Sequence, residues 1–186
     1  EIVGGLILKT SGSFIQGWSG DAGFPVGFRY NGYGNLKTGW IEGQDYNGGD
    51  GVQLVLSSGT TTINSANSAD QGFVFHDQRA GHVFHSSGTV RFEPGASVTQ
   101  KVRWSTDGKA IYNAVVSGGT SSVVKGFMSG ADYLTFSNDL TVDAGTIGPY
   151  GDKLRVTGNV VINEGTLDLN TTDTADNIHS MGSLIV

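Results

Sequence analysis

The chain has 186 residues, which is enough for one sizeable core or for one elongated domain with a smaller N-terminal part. Thirty glycines against three prolines, with 37% apolar residues, favour many short strands joined by tight turns and exclude both collagen and a disordered chain. The net charge is −6 and the 11 basic residues form no cluster, so we expect no nucleic-acid partner. No apolar run approaches the roughly 20 residues of a membrane span, and the lack of cysteine excludes disulfides and thiolate chemistry.

Residues 1–70 differ in pattern from the rest, and we interpret them as an N-terminal cap, an irregular first set of coils or a small β-domain. They are rich in glycine and aromatic residues and contain no internal repeat. The sequence opens at Glu1 rather than at Met, so we expect a processed or excised segment, with any signal peptide outside it. The alternation of Leu6 and Leu8 predicts a strand near the start.

Five aromatic residues in this part lie in Gly/Asn-rich sequence that we interpret as loops. Exposed aromatic rings stack on sugars and anchor protein partners, so these residues are candidates for binding a surface glycan. The alternative is that they fill the core of a cap, because large aromatic side chains are mostly buried. The candidates are Trp18, Tyr30, Tyr33, Trp40 and Tyr46.

A glycine-rich window over residues 48–56 resembles one unit of a calcium-binding β-roll. It departs from that pattern because Gln53 stands where an Asp is needed, and the unit occurs once, whereas such sites form between successive turns. A Gly-rich turn that enters a strand over residues 52–56 explains it better. Asp45 and Asp50 remain candidate oxygen ligands for Ca²⁺, and we predict no other cofactor.

Three histidines lie close together just after residue 70, at positions 76, 82 and 85. Imidazole is the commonest ligand of transition metals, which makes a metal site worth considering. However, His82 and His85 are an odd number of residues apart and would point to opposite faces of one strand. We therefore interpret them as ordinary half-exposed strand residues.

An internal repeat in residues 71–186 is the main evidence for the fold. Residues 140–147, LTVDAGTI, match residues 160–167, VVINEGTL, position for position, and residues 90–98, VRFEPGASV, form a looser copy. The shared pattern places two inward side chains on a short strand and a glycine at the following corner. Stacking of such units buries apolar residues of one coil against the same positions of the next. The alternative to a solenoid repeat is a set of unrelated hairpins that share turn chemistry.

Residues 73–169 resemble the β-solenoid repeats of bacterial surface proteins, autotransporter-like passengers and phage fibre or appendage proteins. The resemblance is carried by GTVRF at 88–92, IYNAVV at 111–116, DLTV at 139–142 and LRVTGNVVINEGTLDL at 154–169. It departs from the usual phrase at Ala114 and Val115, where Leu and Thr are more common. The resemblance implies an architecture, a parallel β-solenoid, and a place in an extracellular or virion appendage, but no particular ligand.

An enzyme is the remaining alternative, since some β-helices cleave polysaccharides. Glycoside cleavage needs two carboxylates across a groove, and the candidate pairs are Asp139 with Asp143 and Asp132 with Asp152. Asp also commonly ends strands and starts turns, which explains these residues without catalysis. No nucleophile elbow, phosphate loop or Cys/His pair is present, so we predict no enzymatic activity.

We therefore expect an all-β chain, a parallel β-solenoid or related repetitive fold over residues 71–186 with an irregular N-terminal part over residues 1–70. The predicted role is a structural subunit or segment of an extracellular fibre, a cell-surface filament or adhesin, or a virion appendage. Apolar strand-like segments at both ends predict self-association into a homo-oligomer or polymer, or association with other structural subunits, by edge pairing. The residues concerned are Leu6, Ile7, Leu8, Leu184, Ile185 and Val186.

Overall fold

The computed structural model describes residues 14–19, 27–29, 35–45, 53–56, 58–64, 73–75, 83–103, 110–126, 133–149, 153–169 and 180–186. These ranges contain β-strands and no helix, so they include no helix that could cross a membrane. The strands are β1 (Phe14–Ser19), β2 (Gly27–Arg29), β3 (Leu36–Thr38), β4 (Trp40–Asp45), β5 (Gln53–Val55), β6 (Thr60–Ile63), β7 (Phe73–Phe75), β8 (Val83–Phe84), β9 (Thr89–Phe92), β10 (Thr99–Arg103), β11 (Asn113–Ser117), β12 (Val123–Gly126), β13 (Tyr133–Phe136), β14 (Leu140–Ala144), β15 (Thr146–Gly148), β16 (Lys153–Ile162), β17 (Thr166–Leu167) and β18 (Ser180–Ile185).

The strands stack in parallel and build the faces of a solenoid. Face A is a seven-stranded sheet in the order β1-β4-β7-β10-β12-β15-β17. Face B begins with β2-β5-β8, and face C begins with β3-β6-β9-β11-β14. Each sheet neighbour comes from the next coil of the chain rather than from a hairpin, which defines a parallel β-solenoid. The predicted fold class is confirmed.

Long strands join faces B and C at the C-terminal end. The first part of β16 pairs with β13, and its second part pairs with β14, so one strand passes from face B around the corner to face C. β18 repeats this path on β16, with a register shift at the corner between the two halves. The most completely described stretch, residues 83–169, contains about four coils.

The interior is built by alternation along each strand. Side chains at every second position of β9, β11 and β14 point into the solenoid, where the same position of the next coil packs against them. Two columns run under face C, with partners fixed by the parallel register. The first contains Leu36, Thr61, Val90, Ala114, Leu140 and Val160, and the second contains Thr38, Ile63, Phe92, Val116, Val142 and Ile162. All but Ile162, which packs partly buried against the core, are fully buried.

The predicted repeat is confirmed for its two best copies. Leu140 pairs with Val160 and Ile147 with Leu167, as the match between the two segments requires. The third copy was aligned correctly at Val90 but wrongly at its end, because Gln100 rather than Val98 shares the column of Ile147. The reason is the length of the corner between faces C and A.

That corner has a long form and a short form. Six residues separate β9 from β10 and connect Val116 with Val123, whereas three connect Val142 with Thr146 and Ile162 with Thr166. The long corners contain equivalent tight turns, in which Val98 N donates to Gly95 O and Ser122 N donates to Gly119 O, each 3.1 Å apart. Ser97 and Ser121 hold positive φ angles at the third position of these turns. The coils therefore differ in length because their corners differ in length, while the register between the strands stays the same.

The described strands of the N-terminal part belong to the same stack. β3 pairs with β6 and β6 with β9, and β4 links β1 to β7. Stacked coils therefore occur on both sides of residue 70. The predicted boundary between the N-terminal part and the solenoid, around residues 66–70, lies outside the described residues. The interpretation of Trp18 and Trp40 as loop residues was wrong, because they lie in β1 and β4.

Candidate functional site at the outer surface and the last strand

A polar ladder runs along the corner between faces B and C. The position just before the first inward residue of each face C strand holds an Asn, Asp, Thr or Ser, and at several coils its side chain bridges to the next coil. Asn35 Oδ1 accepts from Thr60 N at 2.8 Å, and Asn113 Oδ1 accepts from Asp139 N at 3.3 Å. Asp139 Oδ1 then accepts from Asn159 N at 2.7 Å. The ladder satisfies backbone N–H groups that the bend at the corner leaves without a sheet partner.

A second network of polar side chains lies on the outer surface of face C. Arg91 donates to Glu93 Oε1 and to Ser117 Oγ, each at 2.7 Å, and its other guanidinium nitrogen lies 4.0 Å from Asp143 Oδ2. Lys37 Nζ lies 3.3 Å from Glu93 Oε2. The network links charges from several coils, but more than a quarter of each charged side chain is exposed, so each pair contributes little to stability.

The two aspartates considered for glycoside cleavage are engaged in contacts between coils. Asp139 belongs to the corner ladder, and Asp143 Oδ1 accepts from Asn163 Nδ2 at 2.8 Å. Both partners lie 20 residues later in the chain, on the adjacent coil. Such contacts serve the stacking of the coils, and they explain both residues without chemistry. The alternative pair, Asp132 and Asp152, lies outside the described residues.

A basic and aromatic group lies on the outside of face B. Arg155 stacks on the ring of Tyr133, with its guanidinium carbon 4.1 Å from the ring centre, and Lys153 Nζ lies 5.5 Å from the same centre. Tyr133 pairs directly with Lys153 in the parallel register. Arg155 is exposed, so the contact covers the ring with a cation and leaves less of it open to a ligand.

β18 is the last strand of both the face B and face C stacks among the described residues. Ser183, Leu184 and Ile185 pair with Asn159, Val160 and Val161 on one side, and no described strand pairs with them on the other. The strand Ser180–Ile185 contains no charged residue and no proline. Among the described residues, the stack therefore ends on an uncharged strand.

Leu184 of β18 is exposed although its register places it in a core column, whereas Met181 of the same strand is partly buried against the core. Leu184 continues the column of Leu140 and Val160, yet 53% of its surface is accessible. Ile185 and Val186 are 52% and 92% exposed. The role of these three residues in self-association stays a prediction. Leu6, Ile7 and Leu8 lie outside the described residues.

The other candidate residues are only partly described. The interpretation of the histidines as half-exposed strand residues was wrong for His85, which is buried just after β8. Its Nδ1 accepts a hydrogen bond from Tyr112 N at 3.0 Å, which gives it a structural role between two coils. His76, His82, Asp50, Tyr30, Tyr33 and Tyr46 lie outside the described residues, and only the backbone of Asp45, Trp18 and Trp40 is described. The described part of the chain contains no group of three or more His, Cys, Asp or Glu that is arranged to hold a metal ion.

Sequence reasoning missed the corner ladder. Its signal was present, because a short polar residue precedes an apolar-x-apolar segment at Asn113, Asp139 and Asn159. The outer network around Arg91 had no comparable signal, since its members come from coils whose spacing varies from 24 to 29 residues.

The fold and its last strand define the chain as a parallel β-solenoid with an accessible, uncharged edge. Comparison with known proteins adds no narrower class, because no protein-family model, curated protein or solved structure matches the chain.

Proposed function

We propose that the chain is a non-enzymatic structural segment of an extracellular fibre, a cell-surface filament or a virion appendage, and that it assembles by self-association. The observation that carries this proposal is the parallel stack of coils, in which the same inward positions pack against one another from coil to coil. Burial of apolar surface drives most protein association, and strand pairing adds directional hydrogen bonds.

The contacts between the coils support a structural role. Each described coil contacts its neighbours through parallel hydrogen bonds, a continuous apolar interior and side-chain bridges such as that from Asn138 Nδ2 to Asn113 Oδ1, at 2.8 Å. A rod built in this way is extended and resists bending without needing a ligand. The described aspartates Asp139 and Asp143 fit this role, because both bridge adjacent coils.

The native mass of the purified chain tests the proposal. We expect light scattering over a concentration series to show a dimer, a higher oligomer or a growing polymer, and electron microscopy to show rods where a polymer forms. Deletion of residues 1–9 and, separately, of residues 183–186 then assigns the association to one end. A strict monomer at every concentration contradicts the proposed assembly.

The second candidate function is a carbohydrate-binding adhesin module, and one observation favours it. Phe14 pairs with Trp40 in the parallel register of β1 and β4, while the neighbouring pair is Ile15 with Ile41, whose side chain is buried. Adjacent aromatic positions of this kind are typical of surfaces that stack on sugar rings.

The two tryptophan variants test this second function. If the aromatic positions bind a glycan, Trp18→Ala and Trp40→Ala keep the circular dichroism spectrum and the unfolding midpoint but lose retention on an array of surface glycans. If both variants unfold, the two residues are part of the core. Ser137→Ala, which changes an exposed residue just after β13, is a control that leaves retention unchanged.

A further inference from the structure

Face B carries two basic side chains that converge on one aromatic ring. Arg155 and Lys153 lie on β16, and Tyr133 lies on β13 of the adjacent coil. The Arg155 guanidinium carbon is 4.1 Å and Lys153 Nζ is 5.5 Å from the centre of the ring. Two cations held beside one ring repel each other, so a negative charge next to both is favourable.

No carboxylate in the described part of the chain neutralises these cations. The strands that carry and flank them, β13, β16 and β18, contain no Asp or Glu. Neither Lys153 nor Arg155 forms an ion pair or a side-chain hydrogen bond with a described residue. Arg91 on face C is the opposite case, because its guanidinium donates to Glu93 and Ser117. Among the described residues, face B therefore presents a local positive charge on a chain whose net charge is −6.

The stacking of Arg155 on the ring leaves its N–H donors available. The flat face of the guanidinium covers the ring, and its N–H groups lie in the guanidinium plane, pointing past the edge of the ring. These groups form a rigid fork that matches the two oxygens of a carboxylate. The ring also restricts the exposed Arg155 side chain, so less conformational entropy is lost when the fork binds an anion.

Exposed hydroxyl groups lie beside the guanidinium. Ser180 of β18 pairs with Arg155 in the parallel register, and Thr157 is the next outward residue of β16. Both are exposed. A hydroxyl group donates and accepts hydrogen bonds, which suits the hydroxyl groups of a sugar. A carboxylate-binding fork, a second cation and exposed hydroxyls together fit an acidic sugar better than a bare anion.

We propose that face B binds an acidic polysaccharide, with Arg155 holding a uronate carboxylate through two N–H groups and Lys153 adding a second positive charge beside it. Tyr133 is a positioning residue, because it holds the guanidinium in place. The site is separate from Trp18 and Trp40, which lie in strands of face A. It goes beyond the proposed structural role and does not depend on self-association.

Titration calorimetry of the whole chain with polygalacturonate tests the site, with dextran as the neutral polymer. We expect binding of polygalacturonate but not of dextran, and an affinity that falls with salt because exposed charges are screened. Arg155→Gln should weaken the binding at least about threefold, as the loss of an exposed charge pair does. Arg91→Gln removes the same charge from a guanidinium that Glu93 already engages, and it is the matched control that leaves the binding unchanged.

Conservative variants separate the planar fork from charge alone. Arg155→Lys keeps the charge without the fork and should bind polygalacturonate at least about twofold more weakly. Tyr133→Phe keeps the ring and should bind like the unmodified chain. Tyr133→Leu removes the stacking without a change in charge, and it should weaken the binding at least about twofold. Circular dichroism and the unfolding midpoint check that each variant is folded.

Competition between small anions tests the chemical class of the ligand. Monomeric galacturonate should displace polygalacturonate better than inorganic phosphate at the same concentration, because the planar fork matches a carboxylate and the hydroxyl groups match the sugar. Better competition by phosphate would show that the site takes a bare anion, and would overturn the assignment of a uronate.

The remaining outcomes decide the site itself. Binding that Arg155→Gln weakens and Arg91→Gln leaves unchanged supports the proposal. Equal weakening by both variants would mean that the polymer binds through overall charge, which overturns it, as does an absence of polygalacturonate binding. Light scattering of the same samples measures self-association separately. A strict monomer that binds polygalacturonate at Arg155 therefore contradicts the proposed assembly and supports this site.

Discussion

Gly88 and Gly145 provide a matched test of how the coils fit together. Both hold positive φ angles, +87° and +78°, in which an L-residue is strained. A Cβ on Gly88 would lie 2.6 Å from Gly59 O and 2.7 Å from the carbonyl of Ser58, all backbone atoms of the coil above. A Cβ on Gly145 would meet the Ser122 hydroxyl at 2.6 Å and its nearest backbone atom only at 3.3 Å. Both glycines thus have the same backbone strain, but an added Cβ would meet backbone atoms at Gly88 and mainly a side-chain hydroxyl at Gly145.

The expected losses follow from this difference. The left-handed conformation costs an alanine roughly 1–2 kcal/mol, and the restriction of the unfolded chain returns about 0.4–1 kcal/mol, so Gly145→Ala should lose about 1 kcal/mol. At Gly88 the backbone of the adjacent coil must also move, which adds about 1–3 kcal/mol, as overpacking does in other cores. That movement also disturbs the bond from Thr89 N to Gly59 O, at 3.0 Å. Gly88→Ala should therefore lose about 2–4 kcal/mol.

Urea unfolding followed by circular dichroism and by tryptophan fluorescence measures both losses. The two signals have to coincide and the slope with urea has to be unchanged for the comparison to hold. Gly145→Ala in a Ser122→Ala background, where the hydroxyl contact is removed, is a further control. The reasoning is refuted if Gly88→Ala loses no more free energy of unfolding than Gly145→Ala.

The same unfolding assay checks three further predictions. Phe92→Ala should lose about 3–5 kcal/mol of unfolding free energy, because its ring is fully buried. Leu184→Ala should lose less than about 1 kcal/mol at low protein concentration, because its side chain is half exposed. Equal losses would contradict this difference in burial. Asp139→Ala should lose about 1 kcal/mol, while Asp139→Asn, which keeps the acceptor for Asn159 N, should stay within about 0.5 kcal/mol. Arg91→Ala should lose less than about 1 kcal/mol, and that loss should shrink further in high salt.

The interior of the described coils was predictable because it depends on alternation alone. Val90 with Phe92 and Leu140 with Val142 were expected to face inward, and all four are buried. In a parallel stack the same inward position recurs in each coil, so a repeated apolar-x-apolar motif indicates both the strand and its neighbour. The fold class followed from two good copies of that motif.

The buried polar residues were not predictable in the same way. Gln100 is fully buried and donates from Nε2 to Ile63 O at 3.1 Å, although the sequence places it among Thr and Lys in an unremarkable strand. Its inward position follows only from the length of the corner before β10, which no local pattern reveals. Thr61 likewise occupies a core position between Leu36 and Val90. Where corners vary in length, period-two reasoning cannot tell which of two alternating sets faces inward.

The candidate catalytic aspartate shows how a structural signal can resemble a chemical one. Asp139 was considered because it lies an even number of residues from Asp143 at the end of a strand. Its position is shared in register with Asn113 on one side and Asn159 on the other, and all three side-chain oxygens accept hydrogen bonds from the next coil. A pattern of short polar acceptors at one corner therefore explains the aspartate as one member of a series.

The last described coil continues the same series. Ser183 occupies the ladder position after Asn159 and donates to its Oδ1 at 2.5 Å, and Leu184 follows as the inward residue. This coil thus keeps both features of the earlier coils, the polar corner and the apolar column. Because the same two features recur in each coil from Asn113 onward, they account for the aspartate at position 139 without any chemistry.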